Sequence, residues 1–161
     1  YLLLLMGLPL LPTQSVHCLT LFLADEMKAR LQMACPTLHH FADEITDNQG
    51  VVYRPLEWLM LEGDWHSGRI GLLGDAVHST TPHLGQGAGL AIEDALVLAD
   101  ELTKASSPEE AFKNYRNRRF ERCDYIVKSS LAICMGQLGK GPLIDNSKAT
   151  AESIAVVAKP I

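Results

Sequence analysis

The sequence lacks the features that mark several protein classes. It has no CxxC pair: Cys18, Cys35, Cys123 and Cys134 stand far apart. That argues against a zinc ribbon or thiol-redox motif, and the four read as buried or idle thiols of an intracellular chain. Positive charge is not in excess. With 14 Lys and Arg against 19 Asp and Glu the net charge is −5, the wrong sign for a dedicated nucleic-acid binder. No apolar run reaches the roughly 20 residues of a membrane span; the most apolar stretch, residues 1–11, is broken by Pro9, and Pro12 and Gln14 follow. The basic n-region and small-residue cleavage site of a signal peptide are also missing. Neither GxGxxG nor a Gly-Lys-Ser/Thr phosphate loop occurs, so the standard nicotinamide-nucleotide and ATP turns are excluded. There is no internal repeat and no low-complexity segment.

What remains is globular. The 161 residues are 47% hydrophobic and 20% charged, suited to one ordinary domain or a piece of a larger one. The chain opens on Tyr1 rather than Met. It reads as beginning inside a longer protein, with residues 1–11 an interior strand. Residues 17–23 (HCLTLFL) suit a second strand, and residues 25–34 carry helical spacing at Met27, Leu31 and Ala34 that must stop before Pro36. Asp47-Asn48-Gln49-Gly50 is a turn signal. Strands are expected at residues 51–53 and 58–61, and a short buried-type strand at 69–73. A helix is expected over residues 88–104, burying Ala91, Ile92, Ala95, Ala99 and Leu102. Ser107-Pro108-Glu109-Glu110 is a strong helix start with a capping box. That helix should run to about residue 135, leaving a weakly helical tail.

The most informative stretch is residues 68–102, GRIGLLGDAVHSTTPHLGQGAGLAIEDALVLADEL. A strand runs into Gly74-Asp75, a loop with Pro82 follows, and a second glycine cluster (Gly85, Gly87, Gly89) opens a helix. A loop of that length is usually functional. Glycines admit close backbone approach, and a helix N-terminus presents free N–H groups with about half a positive charge. This is the layout of a site for a partly anionic cofactor.

The order and spacing of Gly74-Asp75-Ala76-Val77-His78, Pro82, Gly85-Gln86-Gly87 and Glu93-Asp94 resemble the second flavin-binding motif of the class A flavoprotein monooxygenases, the aromatic-ring hydroxylase family. The resemblance covers roughly residues 51–125. It implies an α/β (α+β) fold, the C-terminal part of a two-domain flavin monooxygenase. Residues 1–62 would belong to the β-rich substrate-binding domain and residues 63–104 to the FAD-binding domain. Residues 105–161 would form a long C-terminal helix and tail. By the same resemblance Asp75 accepts a hydrogen bond from the ribityl chain, and Gly87, Ala88 and Gly89 aim backbone N–H groups at the flavin's pyrimidine edge. Pro82 stiffens the loop beside the ring, and Gly74 and Gly85 complete the cofactor set. Many family members carry Asn at the position of Gly89; backbone contacts survive that change.

The activity so implied is hydroxylation of a small aromatic substrate in the cytoplasm, with FAD, NAD(P)H as reductant and O₂. The adenine half of FAD would be held by a GxGxxG unit in an N-terminal remainder of the same enzyme. An epoxidase or halogenase relative, and a non-enzymatic remnant or partner-dependent subunit, are the alternatives. No catalytic acid or base is named. His78 and His83 lack further ligands at metal-binding spacing, and Asp75, His78 and Ser79 are too crowded for a triad. His17, His39 and His40 read as surface or strand residues, and Tyr53-Arg54 as a strand with a structural role, its alternative a border of the substrate pocket. The basic cluster Lys113, Arg116, Arg118, Arg119 and Arg122 reads as a solvated helix face.

Overall fold

The computed structural model describes residues 23–34, 36–52 and 56–161. They fall into two compact units, one up to Pro55 and one from Leu56 to Ile161. The expected segments 63–104 and 105–161 therefore pack together within a single unit. The fold is a partial α/β fold, mostly helical with one small two-stranded sheet. Among the described residues no helix is long and apolar enough to cross a membrane.

In the first unit, helix α1 (Leu23–Ala34) buries Leu23, Ala24, Met27 and Leu31; Met27 and Leu31 are expected inner positions, whereas Ala34, expected with them, is exposed at the helix end. It begins at Leu23, so the one described residue of the expected strand 17–23 is helical; the rest of that strand lies outside the described residues. Pro36 ends α1 and starts a 3₁₀ turn, Pro36–Leu38, followed by α2 (His39–Asp43). His39 and His40 are exposed on it. The turn at residues 47–50 is held by Asp47, whose Oδ1 accepts from the N–H groups of Gln49 (2.8 Å) and Gly50 (3.1 Å). Asn48 Oδ1 accepts from Ala24 N, tying the turn to the start of α1. Val51 and Val52 form no strand, and Tyr53 and Arg54 lie outside the described residues.

The second unit begins with residues 56–62. They join no sheet but run alongside the motif loop, Leu59 N donating to Ser79 O and Leu61 N to Val77 O. A tight antiparallel hairpin follows: β1 (His66–Ser67) pairs with β2 (Ile70–Gly71) around Gly68-Arg69. Gly68 takes φ +53, a conformation open to glycine at little cost. The expected strand 69–73 is thus two residues long, and it is not buried: Ile70 is 72% exposed, and Leu72 and Leu73 are also exposed. A Cβ at Gly71 would collide with the Phe112 ring, which would have to shift to admit it.

The loop after β2 contains a single helical turn, α3 (Asp75–His78), and a 3₁₀ turn, Pro82–Leu84. Helix α4 (Gly87–Lys104) then packs on α5 (Pro108–Gln137). The buried face of α4 is Leu90, Asp94, Val97 and Glu101, not the expected one. Ile92, Ala95, Ala99 and Leu102 are exposed and Ala91 is half-buried. The apolar count misled because α4 turns carboxylates toward arginines of α5. Helix α5 starts as expected, with Ser107 Oγ accepting from Glu110 N; the Glu110 side chain, however, reaches back to Ser106 rather than Ser107. The tail is more ordered than its composition suggests: α6 (Asn146–Val157) is capped by Asp145, which accepts from Lys148 N. Trp65 centres the core, fully buried with Val77, Leu90, Tyr115 and Ile126.

Candidate functional site

Asp94 organises the motif loop from beneath. Its side chain is fully buried. Oδ2 accepts from the backbone N–H of Gly74 at 2.9 Å and from His78 Nε2 at 2.6 Å, while Oδ1 accepts from Arg119 Nε at 2.8 Å. Arg119, equally buried, also donates to Glu93 Oε2 and to the carbonyl of Leu90. Glu93 in turn pairs with Arg122, whose other donations go to the carbonyls of Val157, the last residue of α6, and of Lys159 and Pro160 beyond it. Two carboxylates and three cationic side chains thus join the loop, α4, α5 and the tail.

Burial opposes charge on both His78 and Asp94, yet each favours the other's ionised form. Desolvation is the largest single influence on His78, but the hydrogen bond and charge of Asp94 and the nearby Cys123 sulfur together outweigh it and hold the pKa at about 10. Asp94 is likewise desolvated, but His78, Arg119 and the Gly74 N–H together lower its pKa. At neutral pH His78 is therefore an imidazolium and Asp94 a carboxylate. His78 Nδ1 and the Tyr115 hydroxyl are buried without a hydrogen-bond partner.

The ligand atoms of His78, Asp94 and Cys123 lie within 4.8 Å of one another. Arg119 Nη2 stands 3.7 Å from Cys123 Sγ while its Nε holds Asp94, so a fixed guanidinium occupies the charge role a metal ion would need. The cluster reads as an ion network. Cys123 and Cys134 are free buried thiols.

The far end of the loop is held differently. Ser130 Oγ donates to the Thr81 carbonyl at 2.6 Å, and the hydroxyls of Thr81 and Ser130 lie 2.8 Å apart. With the Ser130 proton used on that carbonyl, the Thr81 hydroxyl donates to Ser130 Oγ. His83 Nδ1, 3.0 Å from Thr81 Oγ1, must then carry a proton and donate. Burial lowers the His83 pKa, which leaves it the neutral Nδ1–H tautomer.

With its inner side so fastened, the loop presents a distinct outer side. Asp75, Pro82, Gly85, Ala88 and Gly89 are exposed and Gly87 is half-exposed. Gly74 alone of the expected set is buried, its N–H given to Asp94; its φ of +60 and a Cβ position 3.2 Å from Ala91 Cβ explain the glycine. Among the described residues no group engages the Asp75 carboxylate, which lines a cavity of about 570 Å³ with Glu57, Trp58, Leu59 and Ser79. Helix α4 has no side-chain cap at Gln86, and its first intrahelical bond is Leu90 N to Gln86 O. The N–H groups of Gly87, Ala88 and Gly89 are thus free to meet a ligand. A Cβ on Gly89 would meet nothing nearer than Gln86 Oε1 at 3.8 Å. Packing within the chain does not demand that glycine; close approach from outside would. These donors, the positive helix end and the free acceptor suit the electron-rich, hydroxyl-bearing half of a flavin.

Sequence reasoning missed the ion network. Arg119 was assigned to a solvated face, yet it lies in the buried stripe Tyr115, Cys123, Ile126 and Ser130 of α5. Asp94 lies in the stripe Leu90, Val97 and Glu101 of α4. Opposite charges set into the apolar stripes of consecutive helices were the available signal.

Such a site, on a glycine-rich helix start beside a strand-end Asp, defines a flavin-binding class of protein. Residues 39–130 match the family model described as FAD binding domain, and the chain belongs to this family, that of the class A FAD-dependent monooxygenases, whose cofactor is FAD. The FAD-dependent monooxygenase paxM of Penicillium paxilli is 42% identical over 88 residues, 48% of this chain and 18% of that protein. The 6-hydroxynicotinate 3-monooxygenase of Bordetella bronchiseptica is 42% identical over 80 residues, 46% of this chain and 21% of that one. Among solved structures, Klebsiella pneumoniae HpxO complexed with FAD and uric acid superimposes with a TM-score of 0.64 at 25% identity, covering 96% of this chain and 37% of HpxO. The chain thus spans about a fifth of the length of the sequence relatives it matches.

Proposed function

We propose that this chain carries the flavin-ring side of an FAD-dependent aromatic hydroxylase. The observation that supports it best is the division of the motif loop: its inner side is fastened by Asp94 and Thr81, and its outer side offers Asp75, Pro82, Gly85 and Gly87–Gly89. In this reading Asp75 accepts from a ribityl hydroxyl, a bond strengthened by the carboxylate charge. The N–H groups of Gly87, Ala88 and Gly89 face the pyrimidine edge, where the α4 dipole favours the negative charge of the reduced ring. FAD, when bound, supplies the redox chemistry with NAD(P)H and O₂. The protein positions it and tunes its charge. Relatives named 3-hydroxybenzoate 6-hydroxylase and 6-hydroxynicotinate 3-monooxygenase support a small aromatic substrate. A cytoplasmic setting, where reduced nicotinamide is supplied, belongs to the same reading.

We assign residues 1–62 to the substrate-binding part, 63–104 to the FAD-binding part and 105–161 to the C-terminal helix and tail. Ile70, Leu72 and Leu73 of the hairpin region and Ile92, Leu96 and Leu102 of α4 are exposed. These favour dependence on a GxGxxG-bearing remainder that covers them and holds the adenine half of FAD. Titration of the purified chain with FAD, followed by quenching of flavin fluorescence, tests the reading. Saturable quenching in the chain that is lost in Asp75→Ala supports it. Equal quenching by both proteins would sink the assignment of Asp75, and none up to about 1 mM, some 4 kcal/mol of binding, would sink independent flavin binding.

A further inference from the structure

The ion network under the motif loop joins two parts of the candidate cofactor site that lie on different elements. The Asp75 carboxylate opens α3, and the N–H groups of Gly87, Ala88 and Gly89 open α4. Asp94 belongs to α4 and grips the N–H of Gly74, the residue before Asp75, at 2.9 Å. It thereby fixes how far the acceptor stands from the donors. We propose that Glu93 and Arg122 are positioning residues for the cofactor: they set Asp94 through Arg119, and the tail carbonyls of Val157, Lys159 and Pro160 set Arg122. The inference rests on the flavin reading and adds to it two residues outside the exposed set.

The relay is built of flat, charged groups, which transmit orientation. Arg119 is fully buried, and each of its guanidinium nitrogens is engaged: Nε gives to Asp94 Oδ1 at 2.8 Å, Nη1 to Glu93 Oε2 and Nη2 to the Leu90 carbonyl at 3.2 Å. A guanidinium is a rigid fork, so holding Nη1 and Nη2 fixes the direction of Nε. A carboxylate is equally flat. Holding Asp94 Oδ1 therefore aims Oδ2 at Gly74 N and His78 Nε2. Glu93 is shared, because its other oxygen accepts from Arg122 Nη1 at 2.9 Å. Arg122 directs its remaining bonds to the main chain: Nη1 also gives to Val157 O at 3.1 Å, and Nη2 to Lys159 O at 2.6 Å and Pro160 O at 3.1 Å. The side chains of Glu93 and Arg122 are 18% and 11% exposed, so solvent and salt screen the pair weakly. Three carbonyls are more than an ion pair requires. They fix where Arg122 stands, and the tail so holds the loop from a distance.

Amide hydrogen exchange, resolved residue by residue by NMR, reads the relay without any ligand. Arg122→Met is expected to speed exchange at Gly74 about tenfold relative to Val127 in the interior of α5, as local opening through a coupled network does. Arg122→Lys keeps a charge beside Glu93 but cannot span three carbonyls, so it should speed Gly74 by about threefold. In a Glu93→Gln background Arg122→Met should add little, because the step between them is already broken. A purely structural role would speed Gly74 and Val127 together. That outcome, a wild-type rate at Gly74 in either Arg122 variant, or full additivity with Glu93→Gln would overturn the proposal. Quenching of flavin fluorescence reads the consequence: FAD affinity should fall about threefold or more in Arg122→Met, and undiminished affinity would overturn the positioning role. Failure of the unsubstituted chain to bind FAD would remove the cofactor reading and the positioning role with it, while the relay would still stand or fall on exchange at Gly74.

Discussion

The two ends of the motif loop are fastened by opposite chemistry. At Gly74 and His78 the anchor is ionic, with Asp94 between an imidazolium and a guanidinium, all buried. At Thr81 it is neutral, with hydroxyl, carbonyl and imidazole sharing protons in a short chain. A buried ion network is costly to assemble and costlier to break, because each lost partner strands the others' charge. A neutral network loses only the bond removed and what desolvation leaves behind. The end beside Asp75 is therefore the one where a single change does most harm.

The largest effect expected is from Asp94→Ala. It removes three acceptor contacts, strips Arg119 of a buried counter-charge and lets the desolvated His78 lose its proton. Stability should fall by about 3–5 kcal/mol, read by chemical denaturation. If Asp94→Ala/Arg119→Met recovers part of that loss, the cost lies in the stranded charge rather than in lost packing.

The pH dependence separates the two anchors next. His78 has a folded pKa of about 10 against 6.5 when free. Its contribution is fully present below pH 6.5 and is lost as pH rises through about 10. The Asp94 pKa is lowered from 3.8, so its contribution is present above that value and is lost as pH falls through the folded pKa. Stability should be greatest near pH 6.5, decline by a few kcal/mol on the alkaline side, and fall on the acid side as first His83, whose pKa is lowered by burial, and then Asp94 take up protons. His78→Gln should flatten that alkaline decline. An unchanged slope in this variant would show that the imidazolium is not the group responsible.

Ser130→Ala probes the neutral end. Thr81 keeps its contact with His83 and loses two bonds, one at its carbonyl and one at its hydroxyl, so the cost should be about 2 kcal/mol. Ser130 itself carries no charge that titrates, so the loss should be nearly the same at pH 6.5 and above, where His83 is neutral. A loss as large as that of Asp94→Ala would erase the distinction between the two ends.

The legibility of the molecule follows the same division. What local chemistry dictates was visible in the sequence: Met27 and Leu31 at helical spacing, Asp47 in its turn, Ser107-Pro108 at the head of α5, and Gly85 to Gly89 at the head of α4. What depends on a partner far along the chain was not. Asp94 and Arg119 are 25 residues apart, and each reads as solvated until the apolar stripes of the two helices are set against one another. The α4 register failed for that reason. An apolar count chose Ile92, Ala95 and Leu102, while the arginines of α5 drew Asp94 and Glu101 inward. The expected strand at residues 69–73 failed because a strand is stable only with neighbours, and among the described residues β2 has one, two residues long. The outer side of the loop was named from resemblance, and its exposure is what the folded chain adds.

The smallest effect on stability should come from Asp75→Ala, and its smallness is the point. The carboxylate is exposed at the first turn of α3, and no described group engages it. Removing it should change stability by no more than about 0.5 kcal/mol. Asp94, one helix away and buried, is needed to hold the loop; Asp75 is free for something the chain does not itself contain. FAD affinity should fall about tenfold or more in this variant, the order expected for one hydrogen bond to a charged group. Calorimetric unfolding and flavin titration of the same preparation check both halves. A loss of stability comparable to that of Ser130→Ala would place Asp75 among the fastenings. A loss of affinity alone separates a residue that builds the loop from one that uses it.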